Sequence, residues 1–200
     1  MARVFAQGST VADMTVVVRA SVSLDGYCAG PEVTVADAMG RDGEQLHAWM
    51  FTEHPDPVDA AAAARLGEGV GGTVIGRRTY DVGIGHWGDV PFAGPAFVVT
   101  HRPGPPVEMA SGVFHFVDAG VAAAIAQAEA AAGAGVVNVM GAETARQALA
   151  LGLVDELDLQ IVPVLLGAGA RLVDGVEGQL EQVSVQPSSR VVHARYRVLR

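Results

Sequence analysis

From Met14 the sequence runs through TVVVRASVSL as the first convincing strand, and the β-branched run Thr73, Val74, Ile75 has the pattern of a strand covered on both faces. Short apolar runs return in GTVIG (72–76), AFVVT (96–100), VFHFV (113–117) and GVVNVMG (135–141), each bounded by turn-forming residues. Segments with helical character lie between them. PVDAAAAARL (57–66) is dominated by the best helix former, EQLHAWMF (44–51) suits a short helix, and a further helix is expected from about Arg78. Over Val121–Ala132 the residues Val121, Ile125, Ala128 and Ala132 fall on one stripe, which predicts an amphipathic crossover helix. ETARQALALG ends at Gly152, a residue suited to a left-handed cap, and DELDLQIVPVLL (155–166) opens the next strand. Prolines 103, 105 and 106 mark a bend. EQVSVQ and RVVHARYRVLR alternate in the antiparallel manner, with Val192, Ala194, Tyr196 and Val198 on one side.

This order predicts an α/β fold: a mixed, mainly parallel β-sheet flanked by helices on both faces, with antiparallel strands at the C-terminus. Ligands of such sheets bind beyond the carboxyl ends of the parallel strands, which singles out Gly76, Thr100 and Gly141. Residues 1–13 carry no comparable pattern and no continuous apolar core of a signal peptide, so they read as an N-terminal extension to one domain over 14–200.

Composition narrows the chemistry. One cysteine, Cys28, excludes a disulfide framework within the chain and the paired-cysteine zinc ligands of a nucleobase deaminase, and points to reducing cytoplasm. A net charge of -9 argues against a nucleic-acid surface. No apolar run approaches the roughly 20 residues that span a bilayer, so no membrane association is expected. The six histidines show neither HxxxH nor HExxH spacing, and no metal site is expected.

The densest candidate chemistry is GTVIGRRTYD (72–81): a buried strand, a glycine turn, then Arg77, Arg78 and Thr79 at a helix start. Free N–H groups and guanidiniums in that position form an anion cradle, although a surface helix start with two solvated arginines has the same pattern. Asp25 can orient substrate or a proton-relaying water, or simply make an Asp-Gly turn with Gly26. His47 and Trp49 can wall a pocket for a flat ring, although on a short amphipathic helix Trp49 is more often a core residue. Glycines around His86 and Trp87 suit either a mobile lid or a long surface connection. Arg171 is either a phosphate contact or a surface cation.

Taken together, SLDGYCAG, VIGRRTYD, FVVTHRPG, NVMGAETARQAL and GLVDELDLQIVPVLLGAG resemble the dihydrofolate reductase superfamily, in the branch similar to the RibD-type C-terminal reductase domain of riboflavin biosynthesis. The resemblance extends from Met14 to Arg200. It implies a dihydrofolate reductase-like sheet, NADPH as hydride donor and a small-molecule heterocyclic substrate. By the same resemblance, Gly76, Arg77, Arg78 and Thr79 hold cofactor phosphates, and Thr100, His101 and Arg102 read the adenosine side. Gly141, Ala142, Glu143 and Thr144 form the pyrophosphate turn, while Ser21 and Cys28 flank the loop that meets the nicotinamide carboxamide. Arg77 and Arg102 together suit a 2′-phosphate.

Two departures bear on activity. Ala142 stands where the family usually has the second glycine of a pair, which adds a Cβ to a close backbone approach and implies weaker cofactor binding. The pteridine-pairing carboxylate of folate reductases falls near Leu46, leaving Glu44, one turn from His47, to serve. Asp25 is then the expected proton source, directly or through water; Glu44, His47, Trp49 and Arg171 are the expected substrate contacts. A homodimer is expected from the resemblance and from the apolar strand IVPVLL, read as a sheet edge. The competing class is a non-catalytic nucleotide- or small-ligand-binding domain that keeps the fold.

Overall fold

The computed structural model describes residues 15–200, so the expected extension over 1–13 lies outside the described residues. The first half of the chain forms β1 (Thr15–Ser23), β2 (Tyr27–Ala29), a 3₁₀ turn (Gly43–His47), α1 (Pro57–Arg65), β3 (Val70–Gly76), α2 (Arg77–Gly83) and β4 (Ala96–Val99). It continues through β5 (Val107–Met109), β6 (Gly112–Val117), α3 (Val121–Ala132), β7 (Val136–Met140), α4 (Ala142–Ala150), β8 (Glu156–Val162), β9 (Ala170–Arg171), β10 (Gln179–Pro187) and β11 (Val192–Leu199). Nine strands make one sheet in the order β10-β11-β8-β1-β7-β3-β4-β6-β5, and β2 pairs with β9 separately. The central pairs are parallel, whereas β11 runs antiparallel to β8 and to β10. Among the described residues no helix is long and apolar enough to cross a membrane.

Both faces of β1 are covered, so its consecutive valines Val16, Val17 and Val18 are all buried. Val16, Val18 and Val22 join Val74, Val137 and Val139 beneath α3 and α4, where Val121, Ala124, Ile125, Ala128, Ala145 and Ala148 are buried. The predicted stripe of α3 is therefore the face that packs. Small residues bring the helix close: a Cβ on Gly72 would lie 3.0 Å from the carbonyl oxygen of Ala128. On the opposite face, Leu46, Trp49 and Ala62 pack with Val162 and Val191. Ile75, Ala96, Val98 and Phe114 meet Tyr80, Ile84 and Trp87 beside them on that face.

Three expectations change. EQLHAWMF gives only the 3₁₀ turn, which ends at His47; Leu46 within it and Trp49 just beyond it reach the same buried patch. The strand opening at Glu156 in IVPVLL's segment is not an edge, because β8 is paired on one side with β1 and on the other with β11. Of the apolar run only Ile161 and Val162 lie within β8, while Pro163 and Leu165 are exposed beyond its end, and the free edge on that side of the sheet is β10, with Leu180, Val183 and Val185 exposed. The segment around His86 and Trp87 is anchored: the Trp87 ring stacks on Phe114 at 6.3 Å and the His86 ring bonds the carbonyl of Val35 at 2.8 Å.

Candidate functional site

The carboxyl ends of β1, β3, β4 and β7 open into one cleft of about 1280 Å³. That exceeds the roughly 300–1,000 Å³ usual for a single small-ligand pocket. Two glycine turns form its floor. Gly76 ends β3 and caps α2; Gly141 ends β7 and caps α4 with φ 92°. They interlock through threonines, since a Cβ on Gly76 would sit 2.8 Å from Thr144 Oγ1 and one on Gly141 would sit 2.6 Å from Thr79 Oγ1. The first-turn N–H groups of α4 are left free to meet a ligand at the floor.

Cations gather on one side of this floor. Thr100, buried at the end of β4, accepts a hydrogen bond at 3.0 Å from the Arg102 N–H and so turns the chain back toward α2. Arg77 Nη1 donates to the Arg102 carbonyl at 3.2 Å, and its guanidinium lies 5.4 Å from the centre of the Phe116 ring. His101 lines the same side. Arg78 diverges from its neighbour and reaches the Val33 carbonyl at 3.4 Å, tying α2 to the segment that roofs the cleft. Sequence reasoning overlooked Asp81, whose carboxylate touches both Arg77 and Arg102. Its spacing of four from Arg77 on a helix was the available signal.

The other end is built from β1, β2, β9 and α4. Ser21 lines the cleft, and its hydroxyl accepts a 3.0 Å hydrogen bond from Trp49 Nε1. Trp49 itself is buried and does not line the cleft; its role is to fix Ser21 from the core. Cys28 also lines the cleft and donates to the Ala170 carbonyl at 3.4 Å, and burial pushes its thiol up, so it is neutral. Burial pushes the His47 imidazole down, leaving a neutral ring on the wall. Arg171 packs 4.6 Å from the Tyr27 ring centre and faces the cleft, and Arg146 holds the Arg171 carbonyl at 2.6 Å. Arg146 was not singled out from sequence, and nothing local in the chain marks Tyr27 as a partner 144 positions from Arg171. Glu143 pairs with Arg146 and Gln147; the Gln147 hydrogen bond, more than the arginine, holds its carboxyl below the usual range.

Two expected roles do not fit. Asp25 accepts from the Ser23 hydroxyl at 2.6 Å and from the Leu166 and Gly167 N–H groups at 3.1 and 2.7 Å. Those bonds, led by Ser23, lower its pKa to about 2, so the side chain is an ionised acceptor with no proton to give, and it lies outside the cleft lining. It is a loop fastener. Glu44 is exposed on the 3₁₀ turn and does not line the cleft, because that turn commits Leu46 to the core instead.

The family model described as the RibD C-terminal domain matches residues 14–194. Among solved structures, a protein from Shewanella sp. PV-4 described as a riboflavin biosynthesis protein is 25% identical, with a TM-score of 0.71 over 94% of this chain and 100% of that one. A pyrimidine reductase-like protein from Corynebacterium diphtheriae is 16% identical, with a TM-score of 0.64 over 96% and 94%. A dihydrofolate reductase from Enterococcus faecalis, complexed with NADP(H), is 12% identical, with a TM-score of 0.58 over 92% and 96%. No curated protein matches.

Proposed function

This chain belongs to the RibD C-terminal domain family, and from that membership we propose that it is an NADPH-dependent reductase acting on a small heterocycle of the pteridine or riboflavin-precursor kind. The observation that carries the reading is the cleft itself: a large volume over a pair of interlocked glycine turns, with cations gathered on one side. The residues present suit the cofactor. A dinucleotide needs close backbone approach at its pyrophosphate, supplied by Gly76 and Gly141, and positive charge at an adenosine 2′-phosphate, supplied by Arg77 and Arg102. When bound, NADPH supplies the hydride.

The chain's own residues bind and orient. Thr79, Ala142 and Thr144 frame the pyrophosphate turn, and His101 borders the adenosine side. Ser21 and Cys28, both neutral, border the nicotinamide end, where the Trp49 bond leaves the Ser21 hydroxyl hydrogen available to a ligand oxygen. His47 and Arg171 face the substrate space, the first as a neutral hydrogen-bonding ring and the second as a fixed cation. With Leu46 in the core and Glu44 turned to solvent, no carboxylate from the 3₁₀ turn pairs with a pteridine ring, which favours other heterocycles over dihydrofolate.

Two copies are proposed to pair along β10, and the single thiol suits a reducing cytoplasm. The functional reading is tested by calorimetric titration of NADPH, followed by cofactor oxidation against a heterocycle panel. It expects saturable NADPH binding and turnover of a pyrimidine or pteridine-like compound, with poor activity on dihydrofolate. Binding without any turnover supports a ligand-binding domain instead, and turnover on dihydrofolate to match a dedicated folate reductase overturns the substrate choice.

A further inference from the structure

The two arginines proposed for the 2′-phosphate are not free cations. Arg77 gives its Nε hydrogen to Asp81 Oδ1 at 2.7 Å, and Arg102 gives Nη2 to Asp81 Oδ2 at 3.2 Å. One carboxylate thus spans both guanidiniums, with an oxygen on each. Arg77 has further support from the Tyr80 and Phe116 rings, at 5.7 and 5.4 Å, and from its bond to the Arg102 carbonyl. Arg102, 72% exposed, has Asp81 as its side-chain partner among the described residues. The three groups carry a summed charge of +1, where two unpartnered arginines would carry +2. The trio is also solvent-accessible, with Asp81 at 37%, so exchange of one anion for another needs no unfolding of the helix.

We infer that Asp81 is the internal counter-anion of this subsite and limits discrimination between cofactors with and without a 2′-phosphate. The inference rests on the reductase reading above. A 2′-phosphate brought to Arg77 and Arg102 meets a carboxylate already seated between them, and must share or take over the hydrogens it holds. A cofactor with a 2′-hydroxyl meets no such repulsion. The residue therefore sets specificity through Arg77 and Arg102, and it has no part in hydride transfer.

The test uses the intact protein and two mononucleotide probes, adenosine 2′,5′-bisphosphate and AMP, in calorimetric titrations that require no turnover. Asp81→Asn keeps the side chain's size and one acceptor oxygen but removes the charge. It is expected to tighten the bisphosphate by roughly threefold to tenfold, the scale of a unit charge about 6 Å from a phosphate dianion in a near-aqueous dielectric, and to leave AMP unchanged. The bisphosphate's salt dependence should also become steeper, because the subsite then carries one more unit of positive charge. Asp81→Ser gives the same direction if the Asn variant fails to fold, and Asp81→Glu, which keeps the charge, should stay near the wild type. Unchanged or weaker bisphosphate binding in the neutral variants overturns the inference, weaker binding assigning Asp81 to holding the arginines in place. A wild type that binds both probes equally, with Arg77→Ala losing nothing for either, overturns the assignment of Arg77 and Arg102 to a 2′-phosphate, on which this inference rests, and the inference with it. If the bisphosphate preference is present and Asp81→Asn leaves it unaltered, only the inference fails.

Discussion

Under the proposed reading, Arg77 is the side chain on which cofactor choice would most depend, because it is held on three sides and lines the cleft. Replacing it with Ala is predicted to cost about 1.5–3 kcal/mol in NADPH affinity, the range for a hydrogen bond to a charged group, and to leave NADH nearly unchanged. Calorimetry with both cofactors checks this; an equal loss for each would place Arg77 away from the 2′-phosphate. Asp25 makes a different prediction, about stability. Its folded pKa, about 2, lies below the ordinary 3.8, so its contribution is present above the unfolded value and is lost as pH falls from about 3.8 through about 2. Asp25→Asn should therefore lower the thermal midpoint at neutral pH, with the gap to the wild type closing as the pH drops through that window. Steady-state rates at saturating substrate should keep their pH profile, since a carboxylate held ionised outside the cleft lining has no proton to donate. Two of the three bonds to Asp25 tie the loop after β1 to residues 166 and 167, contacts across about 140 positions that an Asp-Gly pair in the sequence gives no hint of.

At the scale of elements, the two glycine turns look equivalent in sequence and are not. Gly141 has φ 92° and ψ 136°, a region nearly closed to other residues, and its added Cβ would meet Thr79 Oγ1 at 2.6 Å. Gly141→Ala is predicted to cost about 1–3 kcal/mol from backbone strain alone and to abolish tight NADPH binding. Gly76 has φ -79° and ψ 155°, an extended conformation open to any residue, so Gly76→Ala should lose less stability and act mainly by displacing the Thr144 hydroxyl. Parallel denaturant titrations rank the two; an equal loss would show that contact outweighs strain. On the far side of α3, Ile125→Ala removes a side chain only 2% exposed beneath the crossover and should cost about 2–5 kcal/mol in the same assay.

For the molecule as a whole, the sheet order decides where a second copy can pair. Interior β8 has both neighbours, whereas β10 has one and presents Leu180, Val183 and Val185 on its exposed surface. An open edge with apolar side chains is a pairing surface that natural proteins cover. Sedimentation at micromolar concentration should give twice the monomer mass, and Val185→Lys should return the monomer while leaving NADPH binding intact. A monomer in the wild type would remove the β10 interface from the account. A β10 interface also predicts that cofactor affinity is independent of protein concentration, because five strands separate β10 from β4, whose end carries Thr100 and the turn to Arg102.

The sequence by itself determined the layered α/β architecture, the strand ends at Gly76, Thr100 and Gly141, and the packing face of α3. Each of these is written in local periodicity or in a turn residue, which act over a few positions. The tertiary structure alone decided that Asp81 bridges Arg77 and Arg102, that Arg146 and Tyr27 fix Arg171, and that the IVPVLL segment begins inside the sheet rather than at its edge. It likewise separated Ser21, which faces the cleft, from Trp49, which holds it from the core. These depend on strand order and on contacts between distant segments, and a residue's type and neighbours along the chain do not encode which distant group the fold will set beside it.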